Sequence, residues 1–406
     1  MSRPFCVIVD TRGFSEYHTP GQPFHLERIG WDCLFLTQPQ FLHTFPQSDS
    51  LRAEAVDYSD PILSPDFEAL RSRVRCIGAA RRIDGISVSL ESMMLTTAEL
   101  RAELGIQGAR PADADALRDK LRMKALVAAR GLRVPRLFTA RDAIARHLGH
   151  GREVVVKPRR GYGSRDVCFV ATMDALDKAL GGQALDACVV EERIHGSVFH
   201  VDSLVHENRP VMAAVFAYSQ PPHKFVAGEP RLATSVDPGE IRSRLLAFNR
   251  DCVEALSPGN TATHLEVYLT PEGELVFGEV GARPGGGHAG LATSCVFGRN
   301  SFAAHAALQV GAELPAQTAP AAAAGWVKIL KIPGRVRAVT WPDRAAWPWV
   351  IAEQRAVAAG DVLGPPAYNG DVSASFAVHG DSQVQVLARL QACIDALRID
   401  YETGKA

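Results

Sequence analysis

A chain of 406 residues with a formal net charge of -1 has no bulk electrostatic pull toward nucleic acid or an anionic membrane, and its length predicts two or three domains. Its 47% hydrophobic and 22% charged residues are those of a soluble globular protein and argue against disorder. Eight scattered cysteines without zinc-type or redox-type spacing, and no secretory or membrane-length apolar run, predict buried thiols in a reducing, cytoplasmic setting.

The N-terminal part alternates strand and helix. Phe5 to Asp10 and Asp32 to Thr37 read as buried strands, Ile83 to Leu90 holds a shorter one, and Asp66 to Val74 and Leu95 to Leu104 have helical spacing. That alternation predicts a parallel α/β sheet. No G-x-G-x-x-G turn follows the first strand, so no dinucleotide is expected there. Gly105, Gly108 and Pro111 punctuate the end of a first domain at residues 1–112.

From Asp113 to Arg130 the pattern predicts one amphipathic helix, with Leu117, Leu121 and Leu126 on its apolar side and Gly131 as its cap. A strand over Arg152 to Val156 delivers Lys157 and Pro158 into the loop RRGYGSRD. There Gly161 and Gly163 free backbone amides to face phosphate oxygens, and Ser164 adds a hydroxyl. The Walker spacing G-x-x-x-x-G-K-[ST] is absent. A helix over Met173 to Leu180 leads to a strand over Ala187 to Glu191, then to Glu192-Arg193-Ile194, an edge whose backbone can meet a purine. Antiparallel strands are expected over Asp202 to Val205 and Val211 to Ala217, then an irregular lid over Tyr218 to Leu232 and a helix over Ile241 to Leu256. Residues 316–325 read as a low-complexity linker, and 326–406 as a small α/β piece ending in a helix over Val384 to Leu397.

The stretch THLEVYLTPEGELVFGEVGARPGGGHAG carries the most chemistry. His264 to Tyr268 alternates polar and apolar, Thr270-Pro271-Glu272-Gly273 is turn chemistry, and Glu274 to Val280 reads as the returning strand. A four-residue loop would set Glu266 opposite Phe277 and His264 opposite Glu279, leaving the two carboxylates as diagonal neighbours on one face. Two hard oxygen ligands with room for water and phosphate suit magnesium. Arg283 and the run Gly285 to Gly287 follow, a cation beside a backbone that a ligand can approach closely. A zinc site on His264, Glu266 and Glu279 has no H-E-x-x-H pattern or cysteine ligand behind it.

In their order these features resemble the ATP-grasp superfamily of carboxylate–amine ligases over nearly the whole chain, and most of all the L-amino-acid ligases that make dipeptides. The resemblance implies an α/β (α+β) fold in three parts. These are an N-terminal parallel α/β domain at 1–112, a two-lobed ATP-grasp domain at 113–315 (lobes 113–190 and 191–315), and a lid-like C-terminal α/β subdomain at 326–406. It implies that DKLRMK and VVVKP supply Lys120 and Lys157 to ATP phosphates. VVEERIHG would give Glu191 as adenine's polar contact, with Glu192 next to it, and Ile194 as a backbone donor. Glu266 and Glu279 would hold Mg2+ or Mn2+, and Arg283 would steady an acyl phosphate and the tetrahedral intermediate. Two positions depart from the pattern. Val198 stands where relatives grip the ribose with Glu, a role left to Asp202 or His200, and Gly281 stands where many relatives carry Asn.

The implied reaction activates a carboxylate as an acyl phosphate and couples it to an amine, with Arg283 and the amides around Gly286 on the oxyanion. His264 and His288 are the nearest candidate bases, Glu91 and Glu229 candidates for a substrate ammonium, and Arg231 for a carboxylate. The expected partners are a small carboxylic acid and an amine, with no nucleic acid or membrane, and a homodimer on the base rate alone. Two other readings stay open: an ATP-grasp carboxylase or other acyl-phosphate ligase with a non-amino-acid substrate, and a non-catalytic ATP-binding regulator.

Overall fold

The computed structural model describes residues 3–18, 23–60, 64–221, 228–366 and 370–402. The N-terminal strands form the expected parallel sheet, in the order Leu51–Ala55, Asp32–Thr37, Phe5–Val9, Gly85–Val88. All of Phe5–Val9 is buried, as a parallel strand covered on both faces requires. Val7 and Val9 pack toward Leu70 and Val74 of the helix Phe67–Ala80, which Asp66 caps by accepting from Ala69 N–H at 2.8 Å. On the opposite face Cys6, Ile8 and Phe35 meet Phe302, Ala303 and Ala306 of the helix Ser301–Val310.

The single helix expected over 113–130 is two. Pro111–Ala116 and Lys120–Ala129 are separate because Asp119 has extended backbone (φ -87, ψ 106) and caps the second helix, accepting from Leu121 and Arg122 N–H. Lys120 thereby becomes the first residue of a helix, and it is buried. Three antiparallel strands, ordered Cys168–Val170, Val154–Pro158, Cys188–Glu192, back onto the helices Arg141–Gly149 and Met173–Leu180 to make a small lobe.

The largest element is an antiparallel sheet of eight strands. Its order is Leu275–Gly281, Thr261–Leu269, Ser197–His206, Arg209–Tyr218, Pro230–Ser235, Ala323–Leu330, Val372–Gly380, Val350–Arg355. The helix Glu240–Leu256 packs Leu245 and Phe248 near Val201, Val215 and Val267 on one face. Small residues on the other face, Ala214 and Ala233, let Ala289 and Ala292 of the helix His288–Phe297 come close. Two expectations change here. Ala323–Leu330 starts inside the run read as a linker, and with Val372–Gly380 and Val350–Arg355 it extends this sheet beyond Pro230–Ser235 instead of opening a separate piece. The lid reading also shrinks, because Pro230–Ser235 is a strand and Ser219 N–H bonds Leu232 O at 2.9 Å; residues 222–227 lie outside the described ones.

All eight cysteines are free thiols, Cys76 being the exposed one. Among the described residues no helix is long and apolar enough to cross a membrane.

Candidate active site

The acidic hairpin has a different register from the expected one. Leu269 pairs with Leu275, so the loop spans residues 270–274, closed by Thr270 N–H to Glu274 O at 2.9 Å. The register then shifts at Gly278, which bulges out, and Glu266 comes directly opposite Glu279 while Phe277 faces Val267 and His264 faces Gly281. The carboxylates are therefore face to face and not diagonal. Glycine is needed at the bulge, since a Cβ on Gly278 would lie 2.8 Å from Glu266 O.

Burial and Glu279 together push Glu266 above the usual carboxylate range. Burial alone would also raise Glu279, but Lys120, Lys157 and Lys124 bring it down to about 2. Like charges directly opposite on paired strands repel. A hard divalent cation between them removes that repulsion, so this donor set fits magnesium or manganese.

A cleft of about 760 Å³, open mouth included, lies between the small lobe and this hairpin. Lys120, Lys157, Gly161, Ser164, Glu191, Glu192, Ile194, Glu266 and Glu279 all line it, and Gly163 sits between the lining residues Tyr162 and Ser164 at φ 68. Val155, Val167, Phe169 and Tyr268 add apolar wall. The Ile194 N–H makes no backbone hydrogen bond among the described residues, as a donor waiting at a cleft would. The glycine loop is tied to the start of the helix Lys120–Ala129. Lys120 bonds Gly161 O, Lys120 N–H reaches Arg159 O at 3.0 Å, and Arg159 Nε sits 3.2 Å from Asp119.

Glu191 corrects another expectation. Its carboxylate is taken by Lys157 Nζ at 2.7 Å and Lys124 Nζ at 3.3 Å, so it anchors lysines and does not wait for a base. Lys124 also bonds Gly278 O at 2.5 Å, joining the small lobe to the bulge. Burial pushes Lys124 down to about 8 despite Glu191, whereas on Lys157 the pull of Glu191 and Glu279 outweighs burial and raises it. Lys124 escaped the sequence reading, although its i,i+4 spacing from Lys120 puts both on one side of a helix.

Beyond the residues that line the cleft, Arg283 Nε and Nη2 each lie 3.0 Å from Glu91 Oε2. Glu91 also pairs with the buried Arg118, so it orients Arg283 and is not open to a substrate ammonium. Glu229 is exposed. Gly285 to Gly287 lead into the helix His288–Phe297, and a Cβ on Gly285 would come 3.4 Å from Asp202 Oδ2. Asp202 is thus beneath the loop, with Oδ1 2.5 Å from His264 Nδ1 and Oδ2 accepting from Thr293 at 2.5 Å. Burial would raise Asp202, but His200 and His264 hold it well below the usual range.

His200 stacks on Phe216 at 4.8 Å, and its Nδ1 lies 3.2 Å from Asp202 Oδ2. Neither Asp202 nor His200 lines the cleft, which removes both as stand-ins for the ribose contact. His288 Nδ1 lies 2.7 Å from Ser375 Oγ, and burial with Lys328 and Arg344 pushes it down to about 3, too weak for a base toward an ammonium. Arg231 is buried and pairs in register with Lys328.

A small antiparallel lobe over a large antiparallel sheet, with lysines and facing carboxylates in the cleft between, is the ATP-grasp fold. The L-amino acid ligase of Bacillus licheniformis superposes with a TM-score of 0.75 at 19% identity, over 99% of this chain and 100% of that one. Biotin carboxylase of Campylobacter jejuni, solved as a β,γ-ATP complex, superposes with 0.70 at 15% identity, over 98% and 92%. In sequence, the L-arginine-specific L-amino acid ligase of Bacillus subtilis is 24% identical over 233 residues, 55% of this chain and 56% of that protein. The chain therefore spans about half the length of the curated relative it matches. No family profile matches the chain.

Proposed function

We propose that this protein is an ATP-dependent carboxylate–amine ligase acting on amino acids, releasing ADP and phosphate. The observation that carries the reading is the bulge at Gly278, which sets Glu266 opposite Glu279 beside Lys120 and Lys157. The names of two relatives, both L-amino acid ligases, favour amino acids over other acids.

Lys120, Lys157 and the amides from Gly161 to Ser164 hold the triphosphate. Glu266 and Glu279 would hold magnesium, which would neutralise charge developing on the phosphates. A substrate carboxylate oxygen attacks the γ-phosphorus, and the bond to the bridging oxygen breaks to free ADP. The amine nitrogen then attacks the acyl carbonyl, the C–O bond to phosphate breaks, and the amine gives up its proton. Arg283, aligned by Glu91, and the amides of Gly285 to Gly287 stabilise the oxyanion. His264 serves as the base, its ring oriented by Asp202 Oδ1 at 2.5 Å from Nδ1.

The test is ADP and phosphate release from ATP and Mg2+ with acids and amines supplied singly and in pairs, Glu279→Ala as the control. Turnover that needs one of each and vanishes in the variant supports the ligase. ADP release with bicarbonate and no amine would indicate a carboxylase, and ATP binding without turnover a regulator.

A further inference from the structure

The loop around Gly161 and the guanidinium of Arg283 belong to different elements, yet one side chain touches the supports of both. Arg118 lies in the short joint, residues 117–119, between the helices Pro111–Ala116 and Lys120–Ala129. It is buried. Its Nη2 donates to the carbonyl of Arg160, the residue before Gly161. Its Nη1 donates to Glu91 Oε1, and Glu91 Oε2 in turn receives Arg283 at 3.0 Å. Loop carbonyl, guanidinium, carboxylate and guanidinium thus form one continuous chain of contacts.

The two residues after Arg118 hold the same loop. Asp119 takes Arg159, with Nε at 3.2 Å, and Lys120 bonds Gly161 O. Three consecutive side chains therefore grip three consecutive loop residues, and of the three Arg118 is the one that also reaches Glu91. The far half of the chain runs beside the metal hairpin. A Cβ on Gly281 would lie 3.4 Å from Glu91 Oε2 and 3.6 Å from Arg283, so this glycine leaves room for the pair two residues beyond Glu279.

Stability alone is a poor reason for such a triad. Desolvation offsets most of the attraction in a buried ion pair, and two guanidiniums on one carboxylate leave a positive charge in excess. What the arrangement supplies is position. A guanidinium is a rigid planar fork that holds two acceptors in fixed relative geometry, which a lysine ammonium on a flexible stem does not. A displacement of the Arg160 carbonyl is therefore passed to Glu91 and on to Arg283.

We infer that Arg118 is a positioning residue shared by both halves of the reaction. Through Arg160 it sets the loop that holds the triphosphate, and through Glu91 it aligns Arg283 on the acyl phosphate. This rests on the ligase reading above. With the tie cut, capture by the amine slows and the acyl phosphate lasts long enough for water to compete. The water oxygen then adds to the acyl carbon, the C–O bond to phosphate breaks, and the acid is returned with ADP already spent and no amide formed.

The experiment measures KM for ATP and the ADP released per amide formed, with one acid, one amine and Mg2+. The wild-type protein should release one ADP per amide. Arg118→Met should raise KM for ATP by roughly 10- to 100-fold, the size expected for one charged hydrogen bond, and raise ADP per amide above about 2. Glu91→Gln should raise the ratio with little change in KM. Arg159→Met, which frees the loop from Asp119, should raise KM and leave the ratio at one. The Arg118→Met, Glu91→Gln double variant should have a ratio no higher than the worse single variant, because both act on Arg283 by one route. Arg118→Lys should restore at most one of the two readouts. An Arg118→Met variant with a ratio of one, or with an unchanged KM, overturns the inference, and so do independent effects in the double variant. If Arg118→Met does not fold, Arg118→Lys decides: a shift in either readout supports the inference, and wild-type values in both overturn it. Failure of the wild-type protein to form amide from any pair sinks the ligase reading, whereas wild-type amide with tight coupling in the Arg118 variants sinks this inference alone.

Discussion

Replacing Lys124 with Met tests whether the cleft is held together as one buried charge network. Lys124 is fully buried, 3.3 Å from Glu191 and 2.5 Å from the carbonyl of Gly278. Removing one member of a buried pair costs about 3–5 kcal/mol when the other is left alone. Here Glu191 keeps Lys157 at 2.7 Å. The ammonium also carries a burial cost, large enough to keep it down at about 8 despite the pull of Glu191 and Glu279, and methionine would not incur that cost. The two effects oppose each other, so Lys124→Met should lose less stability than the about 3–5 kcal/mol of a simple broken buried pair. Glu191→Gln should lose more, because it strands two buried lysines. Urea unfolding of wild type, both single variants and the double variant gives the coupling, which should be at least about 1 kcal/mol. Additivity within about 0.5 kcal/mol would refute the network.

Other perturbations follow from the same geometry. Glu266→Gln should stabilise the metal-free protein by up to about 1 kcal/mol by removing like charge opposite Glu279, abolish the rise in Tm on adding Mg2+, and cut turnover at least about 100-fold. Gly278→Ala, whose Cβ would press on Glu266 O at 2.8 Å, should lower Mg2+-dependent ADP release more than about tenfold, seen as a weaker Mg2+ activation curve. Glu91→Gln should reduce kcat by about 10–100-fold with little change in KM for ATP, because it loosens Arg283 outside the ATP cleft. Glu16 is raised from 4.5 to about 7 by burial, against the pull of Arg12. Its contribution to stability is full below pH 4.5 and lost as pH rises through 7, because the folded chain keeps a proton that the unfolded chain has released. The Tm of Glu16→Gln relative to wild type should therefore increase between pH 5 and pH 8, and a flat difference would refute the assignment.

Much of the site was legible because its pieces are local. A β-rich run ending in Lys157, a glycine loop, and two acids on a hairpin are patterns of a few residues each, and their order along the chain outlined the cleft. The helix over Met173 to Leu180 and the parallel N-terminal sheet follow from short-range periodicity and were found where expected. Asp119 was a legible cap that went unused: reading it as the start of a helix would have split 113–130 and placed Lys120 at a helix N-terminus.

What the chain determined by itself was the set of elements and the order of its charged groups, since periodicity and turn chemistry act over a few residues. Tertiary structure decided which groups meet. The bulge at Gly278 moved Glu279 opposite Glu266, a shift that turn composition could not register because it depends on how the hairpin packs against Lys124. Glu91 reached Arg283 across 192 positions and ceased to be a candidate for substrate. Lys328, beyond an apparent linker, came to lie beside Arg231 because the edge strand Pro230–Ser235 needed a hydrogen-bonding partner and Ala323–Leu330 supplied it. Backbone pairing of that kind is indifferent to separation in sequence, which is why the two cations could be seen as neighbours only in the folded chain.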